Sequence, residues 1–139
     1  MAYVLDTEPL IAFLYDEPGH EAVAEILGSG EECQLAEVNA AELQYKIARI
    51  EGDDGEPTPE SLRVADRDVR ALTRQGVSLQ RADWRLAAEV KAHGGLSLAD
   101  AYAVALAHET GAPLVAGGDG DFSGLPVDIE VERFRDHGV

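Results

Sequence analysis

The sequence predicts a small three-layer α/β/α domain with a short central parallel sheet of about five strands. Short β-prone apolar runs alternate with helical patterns, which is the signature of βαβ units and of a parallel sheet covered on both faces. The 139 residues are 45% hydrophobic and 27% charged, as a compact soluble fold requires, so residues 1–139 are expected to form a single domain. Neither an internal repeat nor a low-complexity tract interrupts the alternation.

Met1 to Asp6 (MAYVLD) is the first strand, a β-prone run that ends on an acid. Thr7 and Pro9 mark a helix start, and LIAFLY carries the pattern to about Tyr15. Pro18-Gly19 breaks it, and HEAVAEIL makes a second short helix closed by Gly28 and Gly30. Cys33 to Val38 reads as the second strand. Asn39 to about Ile50 is an amphipathic helix with Leu43, Ile47 and Ile50 on one side. Gly52 to Pro59 is a polar turn too short to separate domains. Pro59 opens the next helix, with Leu62, Ala65, Val69 and Leu72 sharing a face until Gly76. Val77 to Gln80 is the third strand.

Ala82 to His93 is helical, Gly94-Gly95 breaks the chain, and Ser97 to Glu109 is a strongly apolar helix ended by Gly111. Pro113 to Ala116 and Ile129 to Phe134 are the fourth and fifth strands. Two full crossings between strands three and four would reverse strand four, so the Ala82 to His93 helix is expected to lie crosswise.

Charge sets the next limits. Eleven Lys and Arg against 27 Asp and Glu give −16, and only Lys46 and Lys91 are lysines. Such a surface repels itself unless salt screens it, so a high-salt cytoplasm is expected, with salt-dependent stability. The same charge argues against bulk affinity for nucleic acid, leaving any such work to a local site. The lone Cys33 excludes an internal disulfide and a cysteine-rich zinc site. No apolar run approaches a membrane span of about 20 residues, and no leader is visible, so a cytoplasmic protein without membrane contact is expected.

The acids fall in a pattern. Ligand sites in open α/β sheets lie beyond the carboxyl ends of the strands. Asp6 ends strand one, and Glu42 sits one turn into the helix after strand two. Asp100 sits one turn into the helix before strand four, and Asp119 and Asp121 follow that strand. Taken singly, each has a plainer role. Asn39–Glu42 and Ser97–Asp100 both fit a capping box, Asp6 can cap the next helix, and Gly-Asp turns are ordinary. Caps have no reason to gather at one edge of one sheet, however. Gathered carboxylates repel unless a cation neutralises them, and hard oxygen donors suit Mg²⁺ or Mn²⁺ rather than zinc.

VLDT at Val4 to Thr7, NAAE at Asn39 to Glu42, SLADAYAVALA at Ser97 to Ala107 and GGDGDF at Gly117 to Phe122 resemble the successive acidic motifs of PIN-domain nucleases. The likeness is closest to the VapC-type toxins of toxin–antitoxin pairs and covers nearly the whole chain. It implies Asp6, Glu42 and Asp100 as core metal ligands, with Asp119 as the fourth acid and Asp121 as second choice. Thr7 matches the small hydroxyl residue that often follows the first acid. A Thr or Ser commonly precedes the fourth acid by two, and here that position is Gly117.

The resemblance further implies a Mg²⁺- or Mn²⁺-dependent endoribonuclease that leaves 5′-phosphate and 3′-hydroxyl ends. A cognate antitoxin and a homodimer are implied as well. Metal-bound water and charge neutralisation would supply the chemistry, and Glu42 or Asp119 would orient the water or take its proton.

An RNA substrate also needs cations. Arg63, Arg67, Arg70 and Arg74 form one helix stripe, and Lys46 and Arg49 lie one and two turns beyond Glu42. The plainer reading of the stripe is a solvated face paired with Asp66, Asp68 and neighbouring acids. His20, His93, His108 and His137 show no metal-ligand spacing, and Trp84 and Tyr102 read as packing residues. Rival readings are a housekeeping RNA-processing nuclease and a PIN-fold binding module with little activity. A haloacid-dehalogenase-like phosphotransferase needs a second Asp where Glu8 stands and a lysine near strand four, and has neither.

Overall fold

The computed structural model describes residues 2–117 and 122–135. Eleven elements follow in chain order: β1 (Ala2–Leu5), α1 (Thr7–Leu14), α2 (His20–Leu27), β2 (Glu32–Ala36), α3 (Glu37–Ile50), α4 (Pro59–Arg74), β3 (Val77–Gln80), α5 (Trp84–His93), α6 (Leu98–Thr110), β4 (Leu114–Ala116) and β5 (Val131–Arg133). The strands form one all-parallel sheet in the order β3-β2-β1-β4-β5. This is the five-stranded α/β architecture that the sequence predicts.

Successive strand residues point to opposite faces, and this alternation makes two cores. Val4, Ala36, Leu114 and Ala116 pack with α5 and α6 on one face. Leu5, Leu35, Val77 and Val115 pack with α1, α2, α3 and α4 on the other. With both faces covered, the central strands read as unbroken apolar runs, as buried parallel strands do. α6 buries alanines all round its circumference, at 101, 103, 105 and 107. Their small side chains suit a helix wedged between the sheet and its neighbours.

The two helices between β3 and β4 are reconciled with a parallel sheet by pairing. α5 packs chiefly against α6, and α6 lies on β1, β2 and β4. Gly94 and Gly95, both near φ +88°, make the sharp break between them.

Two boundaries differ from expectation. The second strand stops at Ala36 rather than Val38, and α3 starts at Glu37. Val38 favours a strand by propensity, but tertiary contacts of α3 override that preference. Helix α5 starts at Trp84, capped by the Asp83 carboxylate, which accepts from the backbone N–H groups of Arg85 and Leu86. Trp84 is not a packing residue, for it is 61% exposed beneath the Arg85 guanidinium. Tyr102 does pack against the α5–α6 core, and Cys33 is buried as a small hydrophobe. Among the described residues, no helix is long and apolar enough to cross a membrane.

Candidate active site

Strand β1 ends at Leu5, and Asp6 follows as the N-cap of α1. Its Oδ1 accepts from the Thr7 backbone N–H at 2.8 Å and from Asn39 Nδ2 at 3.1 Å. Asn39 Nδ2 also donates to Thr7 Oγ1 at 3.2 Å, and the Thr7 hydroxyl donates to the Asn39 carbonyl at 3.4 Å. Asn39 is therefore no cap. It is a fully buried residue in the first turns of α3 that fixes the first acid, and among the described residues its Oδ1 finds no partner. The N-cap of α3 is Ala36. The capping-box reading of Asn39–Glu42 thus falls, because the helix begins two residues earlier.

Ser97 caps α6, its hydroxyl accepting from the Asp100 N–H at 3.1 Å. The Asp100 carboxylate stands close enough to Asp6 for the two to share a hydrogen bond when one of them carries a proton. Asp6 is only 5% exposed. Burial drives its pKa well above the ordinary carboxylate range, the charge and hydrogen bond of Asp100 add to this, and Glu42 adds a smaller push. The Thr7 N–H pulls the other way. Glu42 projects from α3 with its side chain 17% exposed, 3.7 Å from Lys46 Nζ.

These residues line one cleft of about 180 Å³: Asp6, Thr7, Glu8, Glu42, Lys46, Ser97, Asp100 and Gly117. The structure therefore brings Asp6, Glu42, Asp100 and Lys46 together at the carboxyl edge of the sheet. Asp119 and Asp121 lie outside the described residues, as does His137. Arg63, Arg67, Arg70 and Arg74 line no part of the cleft. They stand on the outer side of α4, where three of them pair with Glu60, Asp68 and Asp66.

The donors here are carboxylate oxygens, with the buried Asp6 held against a second, half-buried acid, and that chemistry suits a hard divalent cation. Among the described residues, no group of three or more His, Cys, Asp and Glu side chains is already placed to hold an ion.

Sequence reasoning missed Glu8. Its carboxylate lies where any Cβ at position 117 would have to go, so the glycine there makes room for it. Arg135 Nη1 holds that carboxylate at 2.5 Å, and the same guanidinium donates to the Pro18 carbonyl at 2.9 Å. The only hint in the sequence is Gly117 itself, where a hydroxyl side chain is expected.

The PIN domain profile matches residues 3–127. This chain belongs to the PIN-domain family. Solved structures similar to this PIN domain include the VapBC2 complex of Rickettsia felis bound to a promoter DNA fragment, at 16% identity and a TM-score of 0.69, covering 95% of this chain and 98% of that one. A toxin–antitoxin complex from Klebsiella pneumoniae is similar at 16% identity and a TM-score of 0.66, covering 97% and 99%. VapC20 of Mycobacterium tuberculosis, a toxin that cleaves the sarcin–ricin loop, matches at 16% and 0.62, covering 88% and 95%. At such identities the likeness establishes the fold. No curated protein matches this chain by sequence.

Proposed function

We infer that this PIN domain is a divalent-metal-dependent endoribonuclease, acting in the cytoplasm as the toxin of a type II toxin–antitoxin pair. The observation that carries the reading is the buried Asp6 carboxylate set against the half-buried Asp100 and beside Glu42, since a buried acid facing other acids is costly to fold without a cation to hold. The family and its toxin–antitoxin neighbours support the same class of chemistry.

Asp6, Glu42 and Asp100 would hold the ion, joined by Asp119 or Asp121 from the segment after β4. Bound Mg²⁺ or Mn²⁺ would activate water and neutralise charge growing on the phosphate oxygens. The protein's own groups do the rest. Asn39 and the Thr7 N–H fix the orientation of the Asp6 carboxylate, as second-layer donors do in metal sites. Glu42 orients the attacking water or takes its proton at a carboxylate oxygen. Lys46, beside Glu42 at the mouth of the cleft, offers Nζ to the RNA phosphate. Arg49 and the α4 arginines are further phosphate contacts, an antitoxin is the regulatory partner, and the chain acts as a homodimer.

The test is cleavage of total RNA by the purified protein in high salt, with Mn²⁺, with Mg²⁺ and with chelator. Discrete metal-dependent fragments that vanish in Asp6→Asn and Asp100→Asn are expected. Cleavage that survives both substitutions would come from a contaminant and would sink the assignment of the site. Metal binding without cleavage would favour a binding module.

A further inference from the structure

A groove of about 360 Å³ adjoins the acidic cleft, lined by Glu8, Ile11, Lys46, Arg49 and Ile50. Glu8 and Lys46 line both cavities, so cleft and groove form one continuous surface. Helix α3 buries Leu43 and Ile47 but leaves Ile50 52% exposed on this surface. Beside this apolar patch stand Lys46 and Arg49. The Arg49 guanidinium lies 4.8 Å from the centre of the Tyr45 ring, and among the described residues no carboxylate pairs with it. Two cations on one wall of a groove, in a chain of charge −16, mark a place for an anion.

At the junction stands Glu8. Its carboxylate cannot swing freely, because Arg135 grips one oxygen and Gly117 backs it. Arg135 is fixed in turn by the Pro18 carbonyl and by stacking on Phe134, 4.8 Å from the ring centre. Phe134 is buried against Gly19, whose φ of +91° and lack of a side chain leave room for it. A carboxylate accepts at about four lone-pair sites, so the grip of one arginine leaves acceptors over. The groove thus presents an apolar patch, two phosphate-seeking cations and one immobilised acceptor.

The geometry points to a nucleotide subsite here, holding the unpaired RNA nucleotide next to the scissile phosphate. Its base lies on Ile11 and Ile50, its backbone phosphate meets Lys46 and Arg49, and its N–H edge donates to Glu8. Guanine, with N1–H and N2–H side by side, suits a carboxylate best, and uracil, with a single N–H, suits it least. An acidic amphipathic segment would also cover the isoleucines and meet the two cations, but the immobilised Glu8 carboxylate in the same groove would repel it. The inference rests on the ribonuclease reading above and names the substrate feature that this reading leaves open.

Two measurements test it. Short single-stranded RNAs that differ at one position are titrated, with Mn²⁺, into the Asp100→Asn protein and into Asp100→Asn carrying Ile50→Asp. Cleavage sites in a randomised single-stranded RNA are mapped for the unaltered protein, for Glu8→Gln and for Ile50→Asp. Ile50 is exposed, so its substitution leaves the core intact. The expected result is affinity weakened roughly tenfold by Ile50→Asp, which removes the apolar contact under one base and sets a negative charge beside the phosphate. Cleavage sites should also show a guanine preference at one flanking position, flattened in Glu8→Gln.

Unchanged affinity and unchanged base preference in both variants, with cleavage intact, would overturn the subsite and leave the nuclease standing. A groove built for a protein segment would give that same result. Failure of the unaltered protein to cleave, and of the Asp100→Asn protein to bind any of the RNAs, would overturn both readings.

Discussion

The acidic cleft and the outer side of α4 are both dense in charge, and they handle it in opposite ways. On α4 the charges alternate in sign at helical spacing and sit in water. Arg63 meets Glu60 at 2.8 Å, Arg70 meets Asp66 at 2.9 Å and Arg67 meets Asp68 at 3.0 Å. Pairs of this kind contribute a few tenths of a kcal/mol each. In the cleft three acids crowd one edge with Lys46 as the nearby cation, and one of them, Asp6, is withdrawn from water against Asp100, with Glu42 nearby. That arrangement costs folding free energy, which a bound cation would offset. Acids alone are uninformative in so acidic a protein; acids that the fold holds at a cost locate its chemistry.

Substitutions should widen or erase this contrast. The largest effect is expected on RNA cleavage, where Asp6→Asn or Asp100→Asn should lower the rate by on the order of 10²–10³-fold, read from initial rates with Mn²⁺. Asn39→Ala removes the buried donor to Asp6 and should cost roughly 2 kcal/mol of stability, measured by denaturant unfolding. Molar potassium chloride should raise Tm by several degrees over dilute buffer, because the net charge of −16 repels itself over a longer Debye length at low salt. An unchanged Tm would remove the high-salt expectation.

Smaller and of opposite sign is the effect of Asp6→Asn on ion-free stability. The folded pKa of Asp6 is raised, so the folded chain binds that proton more tightly than the unfolded chain does. Stability from this group is therefore greatest below the ordinary value of about 3.9 and falls as pH rises through the folded value. In chelator at neutral pH, Asp6→Asn should melt a few degrees higher than the unaltered protein, provided the amide retains the Asn39 and Thr7 bonds. Added Mn²⁺ should raise Tm for the unaltered protein alone. Arg70→Ala on α4 should change stability least, by about 0.5 kcal/mol or less.

Much of this contrast was legible in the sequence. Alternation of apolar runs placed all five strands, and Val77–Gln80 is bounded as read, because a turn glycine flanks it and its run is short. The meeting of Asp6, Glu42 and Asp100 at one edge was legible from chain position, since a parallel sheet delivers strand ends and helix starts to one edge. What escaped depends on contacts between distant segments. Asn39 looks like a cap until its amide is seen bridging Asp6 and Thr7. Glu8 looks like a helix-dipole acid until Gly117, over a hundred residues later in the chain, leaves its carboxylate room. Trp84 looks like core because of its size, whereas a helix's first residue can face water at either end of the hydropathy scale.

The strand order has a consequence in time. β1 lies at the centre of the sheet, and its partner β4 is made last among its neighbours, with Val4 pairing with Leu114 about 110 positions later. At ordinary synthesis rates of about 5–20 residues per second, the first acid leaves the ribosome several seconds before the strand that walls its cleft. Until then Asp6 has no Asp100 beside it and no Gly117 behind Glu8. A nascent chain of this topology therefore carries no assembled acidic cleft until α6 and β4 have joined the strands made before them.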